Sequence, residues 1–185
     1  MKNEQTSRLR REGGRQALLA FGSNLGDREA HLAAAVAEIG CLAGTQVLGI
    51  SSLYETKPVG IEAQPDFLNA AGAVVTHLTP EELLEACLGI EEKRGRERGE
   101  RNGPRTLDID LLFYEGETRA TPRLTLPHPR YAERDFVRVP LRELLEMPAL
   151  RAESVWDDLR QEMAATKDKL GNGVGRKIGW RKAGL

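Results

Sequence analysis

The sequence predicts an α+β fold of the ferredoxin-like type, in which an antiparallel sheet packs against two helices on one face. Three observations support this prediction. Short runs of β-forming residues alternate with amphipathic helical stretches, glycine and proline mark the boundaries, and the resulting order is β-α-β-β-α-β. We expect a hairpin and C-terminal helices to extend this core. The 185 residues, of which 40% are hydrophobic and 30% charged, suffice for one domain with a single core.

The first half of the pattern is a strand, a turn and a helix. The apolar run 16–21 predicts the first strand, and the glycines of segment 22–26 end it in a turn. Asp27 can cap the following helix, because its short carboxylate accepts backbone N–H groups that the first helical turn leaves unpaired. The apolar face of that helix consists of Leu32, Val36 and Ile39.

The remaining elements are three strands and two helices. β-forming residues predict strands at 45–55, 67–76 and 105–113, and a hairpin follows the last of these. Pro80 favours a helix start, since proline is common in the first helical turn, and an apolar stripe follows it. Segment 137–145 predicts a further helix.

The two ends of the chain fall outside this pattern. We expect residues 1–15 to be a mobile extension, 16–165 to be a single domain, and 166–185 to be a basic tail of undetermined structure. Neither a run of about 18 apolar residues nor a secretory signal is evident, so we expect a cytoplasmic location. The formal net charge of −1 predicts no general attraction to nucleic acid or to anionic membranes. We also expect a monomer.

Two aspartates in the strand at 105–113 are the most informative residues. Side chains alternate along a strand, so Asp108 and Asp110 share one face while leucine and isoleucine occupy the other. Their Cα atoms are then roughly 6 to 7 Å apart, so both carboxylates can reach one divalent cation or a pair of cations. Aspartate is rare within strands, and two like charges on one face repel each other. A bound cation therefore explains this pair better than solubility does, and oxygen ligands suit Mg2+.

A basic segment precedes this strand. Residues 93–105 contain six positive and two negative side chains, a local excess of four in a slightly acidic protein. Arginine can form two parallel hydrogen bonds to phosphate oxygens, and glycines at 95, 99 and 103 would allow such a loop to close. A charge run alone more often marks a solvated loop. Its position beside the paired aspartates favours phosphate binding.

A second group of polar residues follows at 126–134. His128 lies between two prolines, and Arg130 and Arg134 add further candidate phosphate contacts. The sequence contains no GxxxxGK[ST] loop and no protein-kinase signature. Metal ions, arginines and loops would therefore have to hold a nucleotide.

Four motifs together resemble one enzyme family. FGSNLG at 21–26, QPDFLNA at 64–70, GPRTLDID at 103–110 and LPH at 126–128 occur in the order typical of the hydroxymethyldihydropterin pyrophosphokinases. The similarity covers about residues 17–146, and GPRTLDID is the longest and most specific block. The resemblance implies transfer of the terminal pyrophosphate of ATP to the hydroxymethyl group of 6-hydroxymethyl-7,8-dihydropterin, with release of AMP, in folate biosynthesis.

The resemblance also implies roles for individual residues. Asp108 and Asp110 would hold two Mg2+ ions, and Arg96 and Arg105 would stabilise charge on the transferred group. The residues implied to lie near the nucleotide or its phosphates are Glu91, Arg98, His128 and Arg134. The residues implied to contact the pterin are Thr56, Pro58, Val59, Gly60, Phe67, Asn69 and Phe136. ATP and the pterin are thus the expected small-molecule partners.

Two other functions fit parts of the same pattern. The β-α-β-β-α-β order also occurs in RNA-binding modules, but these use exposed aromatic residues on the sheet, and no paired aromatic motif is evident. A metal-dependent nucleotide-sugar transferase could also use the Asp-x-Asp motif. Such enzymes usually need a larger nucleotide-binding domain than 185 residues allow.

Overall fold

An antiparallel sheet forms the centre of the protein, and helices cover both of its faces. The computed structural model describes residues 2–61, 63–96, 103–166 and 174–180. The strands are β1 (Arg15–Ser23), β2 (Thr45–Ile50), β3 (Leu53–Thr56), β4 (Phe67–Thr76), β5 (Asp108–Tyr114), β6 (Arg119–Ala120), β7 (Thr125–Leu126) and β8 (Val174–Ile178). The helices are α1 (Lys2–Arg11), α2 (Arg28–Gly40), α3 (Pro80–Lys93), α4 (Asp135–Leu145), α5 (Pro148–Arg151) and α6 (Asp157–Ala165). Among the helices of these described residues, none has the length and hydropathy needed to cross a bilayer.

The main sheet has the strand order β5-β1-β4-β3-β8, and β2 also pairs with β4. All of these pairs are antiparallel, which confirms the predicted ferredoxin-like α+β fold. The strand predicted over 45–55 is in fact two strands, because the chain leaves the ladder at Ser51 and Ser52. There the Ser51 hydroxyl accepts a hydrogen bond from the Ala71 N–H at 2.9 Å, so a side chain satisfies that backbone donor.

The two faces of the sheet pack against different helices. Helices α2 and α3 cover the face to which β1 contributes Leu19 and Phe21. Helices α4 and α6 cover the opposite face, which includes Leu18 of β1. The predicted helix starts are confirmed. The Asp27 carboxylate accepts the Ala30 N–H at 3.2 Å, and Thr79 forms a capping box with the third residue of α3.

Strand β5 contains a β-bulge beyond its aspartates. Leu111 pairs with Leu19 of β1, and Phe113 pairs with Leu18, so Leu112 is an extra residue in the ladder. Leu112 and Phe113 consequently both pack toward the α4 side. The regular alternation of side chains is therefore interrupted only after Asp110.

Residues 2–11 differ from the predicted mobile extension, because they form helix α1 and contact the sheet through β2 and β4. Leu9 is buried, and the Arg10 guanidinium pairs with Glu115 and, at 3.4 Å, with Glu153. The Gly14 N–H also donates to the Leu9 carbonyl at 2.8 Å. The sequence could not indicate these ion pairs locally, because Glu115 lies 105 residues from Arg10.

The C-terminal basic segment contributes an edge strand, which the sequence did not predict. Strand β8 pairs with β3, and the Trp180 indole N–H donates to the Ser51 carbonyl at 2.8 Å. The helix predicted over 137–145 is confirmed as α4, which begins two residues earlier.

Candidate active site

Three residues on neighbouring strands form a row across one face of the sheet. Gly22 of β1 pairs directly with Asn69 of β4 on one side and with Asp108 of β5 on the other. Directly opposed residues in an antiparallel ladder share a face, so Asn69 and Asp108 project to the same side. Strands are spaced by about 4.8 Å, so the backbone positions of Asn69 and Asp108 lie roughly 10 Å apart.

The predicted alternation of β5 is confirmed. Ile109 and Leu111 are buried in the core beneath α2 and α3, whereas Asp108 and Asp110 line a cleft on the opposite face. In the neighbouring row, Asp110 pairs with Ala20 of β1. Gly22 has no side chain and Ala20 has only a methyl group, so these two residues leave space between the two halves of the site.

The cleft has a volume of about 300 Å3 and lies where α4 begins. The Arg134 guanidinium lies 5.5 Å from the centre of the Phe136 ring, and both side chains form part of the wall. The complete lining is Ala20, Phe21, Gly22, Thr56, Lys57, Val59, Phe67, Asn69, Arg105, Asp108, Asp110, Arg130, Glu133, Arg134, Phe136 and Val137.

Two arginines pair with the Asp108 carboxylate. Arg96 Nη2 lies 2.9 Å from Oδ1, and Arg105 Nη1 lies 2.7 Å from Oδ2. Each carboxylate oxygen therefore has its own guanidinium partner. The arginine-rich segment and the aspartate strand, which the sequence placed only near each other, are in direct contact in the folded chain.

Asp110 has a weaker counter-ion than Asp108. Its Oδ2 lies 3.9 Å from Arg134 Nη1, beyond hydrogen-bond distance. Burial raises the pKa of Asp110, the charge of Asp108 raises it further, and the arginines oppose the shift. The site thus holds two carboxylates whose simultaneous ionisation is unfavourable unless further positive charge is present.

Glu91 links helix α3 to this strand from beneath the cleft. It is only 1% exposed, accepts the Ile109 N–H at 2.6 Å, and pairs with Arg96. Burial raises the pKa of Glu91 to about 7, although the Ile109 N–H and the Arg96 charge oppose this shift. Glu91 does not line the cleft, and its contacts hold Arg96 and β5 in place. Its predicted position near the nucleotide stays a prediction.

Asn24 connects the two halves of the site. Its Oδ1 accepts the Arg105 N–H at 2.8 Å, and its own N–H donates to the Arg105 carbonyl at 3.1 Å. Its Nδ2 donates to Gln64 Oε1 at 3.1 Å and to the Pro65 carbonyl at 3.0 Å. This buried residue therefore joins the turn after β1 to the segment before β4 and to the segment before β5.

The Asn69 side chain is held in one orientation. Its Nδ2 donates to Thr56 Oγ1 at 2.7 Å, and both residues are buried. A Cβ at Gly22 would lie 3.1 Å from Asn69 Oδ1, tighter than ordinary contact. Glycine at position 22 thus keeps the floor of the cleft open beside the amide.

The comparisons with known proteins agree with this geometry. A family model described as 7,8-dihydro-6-hydroxymethylpterin-pyrophosphokinase matches residues 18–146. This chain belongs to that family. Membership of this family favours a pyrophosphokinase over the RNA-binding module and the nucleotide-sugar transferase that the sequence left as alternatives.

Two bacterial relatives match most of the chain. The 2-amino-4-hydroxy-6-hydroxymethyldihydropteridine pyrophosphokinase of Bacillus subtilis is 44% identical over 155 residues, which are 84% of this chain and 92% of that protein. The protein of the same name from Methylorubrum extorquens is 46% identical over 144 residues, which are 78% of this chain and 91% of that protein. The family assignment therefore rests on nearly the full length of these relatives.

The fold is shared with a solved structure. Wild-type HPPK-DHPS of Plasmodium falciparum, crystallised with pteroate, matches with a TM-score of 0.57 at 15% identity. The match covers 86% of this chain and 45% of the other, so this chain spans less than half the length of that protein. At this identity, the similarity supports the pyrophosphokinase fold alone.

The structure places most of the predicted site residues at the cleft. Five predicted site residues are described but are not among its lining residues, namely Pro58, Gly60, Glu91, Arg96 and His128, and Arg98 lies outside the described residues. Burial and the charges of Arg134 and Arg130 lower the pKa of His128, which favours its neutral form. The predicted residues that line the cleft are Thr56, Val59, Phe67, Asn69, Arg105, Asp108, Asp110, Arg134 and Phe136.

Sequence reasoning about the pyrophosphokinase motifs missed several contributors. Glu133 lines the cleft, and Asn24 supports it through hydrogen bonds, but neither was a candidate site residue. The side chain of Lys57 also lines the cleft, whereas the sequence predicted only backbone contacts from the loop at 56–60. Asn24 lies inside the FGSNLG motif. An asparagine is expected in a turn of this kind, so nothing in the sequence assigned Asn24 a further role. Its partners come from two distant segments, which only the folded chain reveals.

Proposed function

We propose that this protein transfers the terminal pyrophosphate of ATP to the hydroxymethyl group of 6-hydroxymethyl-7,8-dihydropterin, producing the pterin diphosphate and AMP in folate biosynthesis. The row of Asn69, Gly22 and Asp108 is the observation that carries this proposal. An amide suited to a heterocycle and a carboxylate suited to a metal–phosphate group project from one face, at backbone positions roughly 10 Å apart. That separation leaves room for a bicyclic ring whose hydroxymethyl group points toward the phosphates.

Asp108 and Asp110 would hold magnesium, and we expect two ions. Both carboxylates line the cleft from the same side of β5, and their oxygen atoms suit this cation. Burial and the neighbouring Asp108 charge raise the pKa of Asp110, and a bound divalent cation would favour its ionised form. Within the described ranges, no cluster of three or more histidine, cysteine or acidic side chains is placed to hold a metal, so phosphate and water oxygens would complete the coordination. When bound, magnesium would neutralise phosphate charge and orient the triphosphate.

Arg96 and Arg105 are candidates to stabilise negative charge on the transferred group. A guanidinium has five N–H donors. Arg105, which pairs with Asp108, and Arg96, which pairs with both Asp108 and Glu91, therefore each keep donors for phosphate. The pterin hydroxyl oxygen would bond to the β-phosphorus, the hydroxyl would lose its proton, and the bond from that phosphorus to the departing AMP oxygen would break. Negative charge then grows on the departing oxygen, and a guanidinium there lowers the barrier because this charge is greatest in the transition state.

The pterin would lie on the β4 side of the cleft. Asn69 can hydrogen-bond the polar edge of the ring, and its bond to Thr56 fixes the amide beforehand. Phe67 of β4 and Phe136 of α4 both line the cleft, and aromatic side chains favour stacked or edge contacts with a flat heterocycle. Val59, which is 62% exposed, is available to cover the ring from the loop after β3.

Other sequence predictions remain predictions. These are the position of Glu91 near the nucleotide, the phosphate contacts of Arg98, His128 and Arg134, and the pterin contacts of Pro58 and Gly60. A monomeric state, a cytoplasmic location, and the absence of nucleic-acid and membrane partners likewise rest on the sequence.

An AMP-release assay tests the proposed function. Purified protein supplied with ATP, MgCl2 and 6-hydroxymethyl-7,8-dihydropterin should form AMP and the pterin diphosphate in equal amounts. Omitting the pterin or adding excess EDTA should stop the reaction. Production of ADP, or AMP release that does not depend on the pterin, would contradict the proposal.

Replacing Asn69 with alanine should weaken pterin binding by about ten- to a hundredfold and leave ATP affinity unchanged, because a hydrogen bond to the ring is lost on one side of the cleft only. Calorimetric titration with each substrate measures both affinities. Gln161→Ala, which removes an exposed amide from α6, is the matched control. Weakened ATP binding with normal pterin binding would show that the pterin lies elsewhere.

A further inference from the structure

Strand β8 lies beyond the residues that the family model matches and borders the pterin side of the cleft. It pairs with one edge of β3, and position 174 is opposite Thr56. The other edge of β3 pairs with the part of β4 that carries Phe67 and Asn69. Because β3 is only four residues long, β8 provides much of the backbone pairing that fixes it.

Several contacts fasten β8 to the rest of the fold. Lys177 Nζ lies 3.2 Å from Glu143 Oε2 of α4, and the Trp180 indole donates to the Ser51 carbonyl. Ile178 and Trp180 pack against the hydrophobic core. An ion pair, a hydrogen bond and apolar packing therefore all attach β8 and the residues after it to the rest of the fold.

The Glu143 carboxylate ties β8 and β3 to the same helix. It accepts the Ser52 N–H at 3.1 Å and the Ser52 hydroxyl at 2.8 Å, and it also accepts the Tyr54 hydroxyl. Lys177 supplies a positive charge to this group. β8 therefore stabilises the position of β3 through side chains as well as through the ladder.

A short chain of contacts leads from β8 to the pterin side of the cleft. Thr56 is the last residue of β3, and its buried hydroxyl accepts the hydrogen bond from Asn69 Nδ2 at 2.7 Å. A shift of β3 would move this acceptor and release the Asn69 amide. By contrast, β3, β4 and β1 separate β8 from β5, which carries Asp108 and Asp110.

We propose that β8 is a positioning element of the pterin pocket: by pairing with β3 it fixes the Thr56 hydroxyl, which orients the Asn69 amide toward the ring. This inference rests on the proposed function. It follows that displacing β8 weakens pterin binding and spares ATP binding.

Two glycines of this segment provide matched variants. A Cβ at Gly175 would lie 2.9 Å from the Glu55 carbonyl oxygen, too close for that backbone atom to remain in place, whereas a Cβ at Gly179 would meet no atom within 4 Å. Neither glycine has a positive φ, so backbone strain does not distinguish them. Gly175→Val should therefore push β8 away from β3, and Gly179→Val should leave the pairing intact.

We expect Gly175→Val to raise the pterin Kd roughly tenfold, in keeping with one weakened hydrogen bond, while the ATP Kd stays at the wild-type value. Gly179→Val should match the wild type in both. If Gly175→Val does not fold, Gly175→Ala, which adds only the Cβ, can be compared with Gly179→Val instead. Equal pterin affinity in the variants at 175 and 179, or an equal loss of ATP affinity at 175, would overturn the inference.

A double-mutant cycle tests whether β8 acts through Thr56. Thr56→Val removes the acceptor, so adding Gly175→Val to it should change pterin affinity by less than about twofold. Fully additive effects would overturn the inference. Measurements on the wild type distinguish a failure of this inference from a failure of the proposed function. The proposed function fails if the unmodified protein neither binds the pterin nor releases AMP. If it does both and the two valine variants behave alike, only the role of β8 fails.

Discussion

Replacing Asp110 with asparagine should lower kcat by roughly a thousandfold, because the side chain loses the charge that a bound metal ion requires. The fold should persist, since Asp110 lines the cleft and is not part of either hydrophobic core. Burial and the nearby Asp108 charge raise the pKa of Asp110 to about 6, so ionising this group costs more in the folded protein than in the unfolded chain. We therefore expect a Tm equal to or above that of the wild type, measured alongside AMP release.

Asp158→Asn is the matched control for this change. Asp158 is exposed on α6, so its replacement removes the same charge at a distance from the cleft and should preserve kcat. Wild-type turnover in Asp110→Asn would rule out the proposed metal site. A large fall in Tm would instead show that the carboxylate supports the fold.

Replacing Arg105 with alanine should lower kcat by about a hundred- to a thousandfold, with a smaller loss of ATP affinity. The reason is that a contact which strengthens as charge grows in the transition state affects kcat more than ground-state binding. The structure holds this side chain in place beforehand, because Asn24 binds its backbone and Asp108 pairs with its guanidinium at 2.7 Å. AMP-release kinetics and ATP titration give the two quantities.

Two further variants define the role of Arg105. Arg105→Lys keeps the charge but loses the planar fork, so it should recover only part of kcat. Arg123→Ala removes an exposed arginine that pairs with Glu85, and it should behave as wild type. Equal losses of kcat and ATP affinity in Arg105→Ala would make Arg105 a binding residue and not a transition-state contact.

The sequence predicted the central fold because its signals are local. Asp27 caps α2 by accepting an N–H only three residues away. Asp108 and Ile109 point to opposite faces of β5, because neighbouring side chains alternate in every strand. The same alternation correctly predicted that the two carboxylates share one face, opposite the apolar residues. Periodicity and capping act over a few residues, so they can be recognised before the chain is folded.

The features that the sequence did not predict depend on distant partners. Arg10 looks like a solvated residue until Glu115 is brought beside it, and Asn24 looks like a turn residue until Arg105 and Pro65 reach its amide. Strand β8 has few apolar residues of its own, and its position depends on an open edge of β3. Such contacts join segments that no local pattern relates.

The bulge at Leu112 determines where β5 can tolerate a change in length. Because the ladder already accommodates one surplus residue there, a further insertion between Leu112 and Tyr114 would lengthen an irregular stretch and leave the carboxylates facing the cleft. A one-residue insertion between Asp108 and Asp110 would reverse the alternation and turn one of these carboxylates toward the apolar layer beneath α2 and α3. Natural insertions and deletions in this strand should accordingly accumulate on the hairpin side of the bulge.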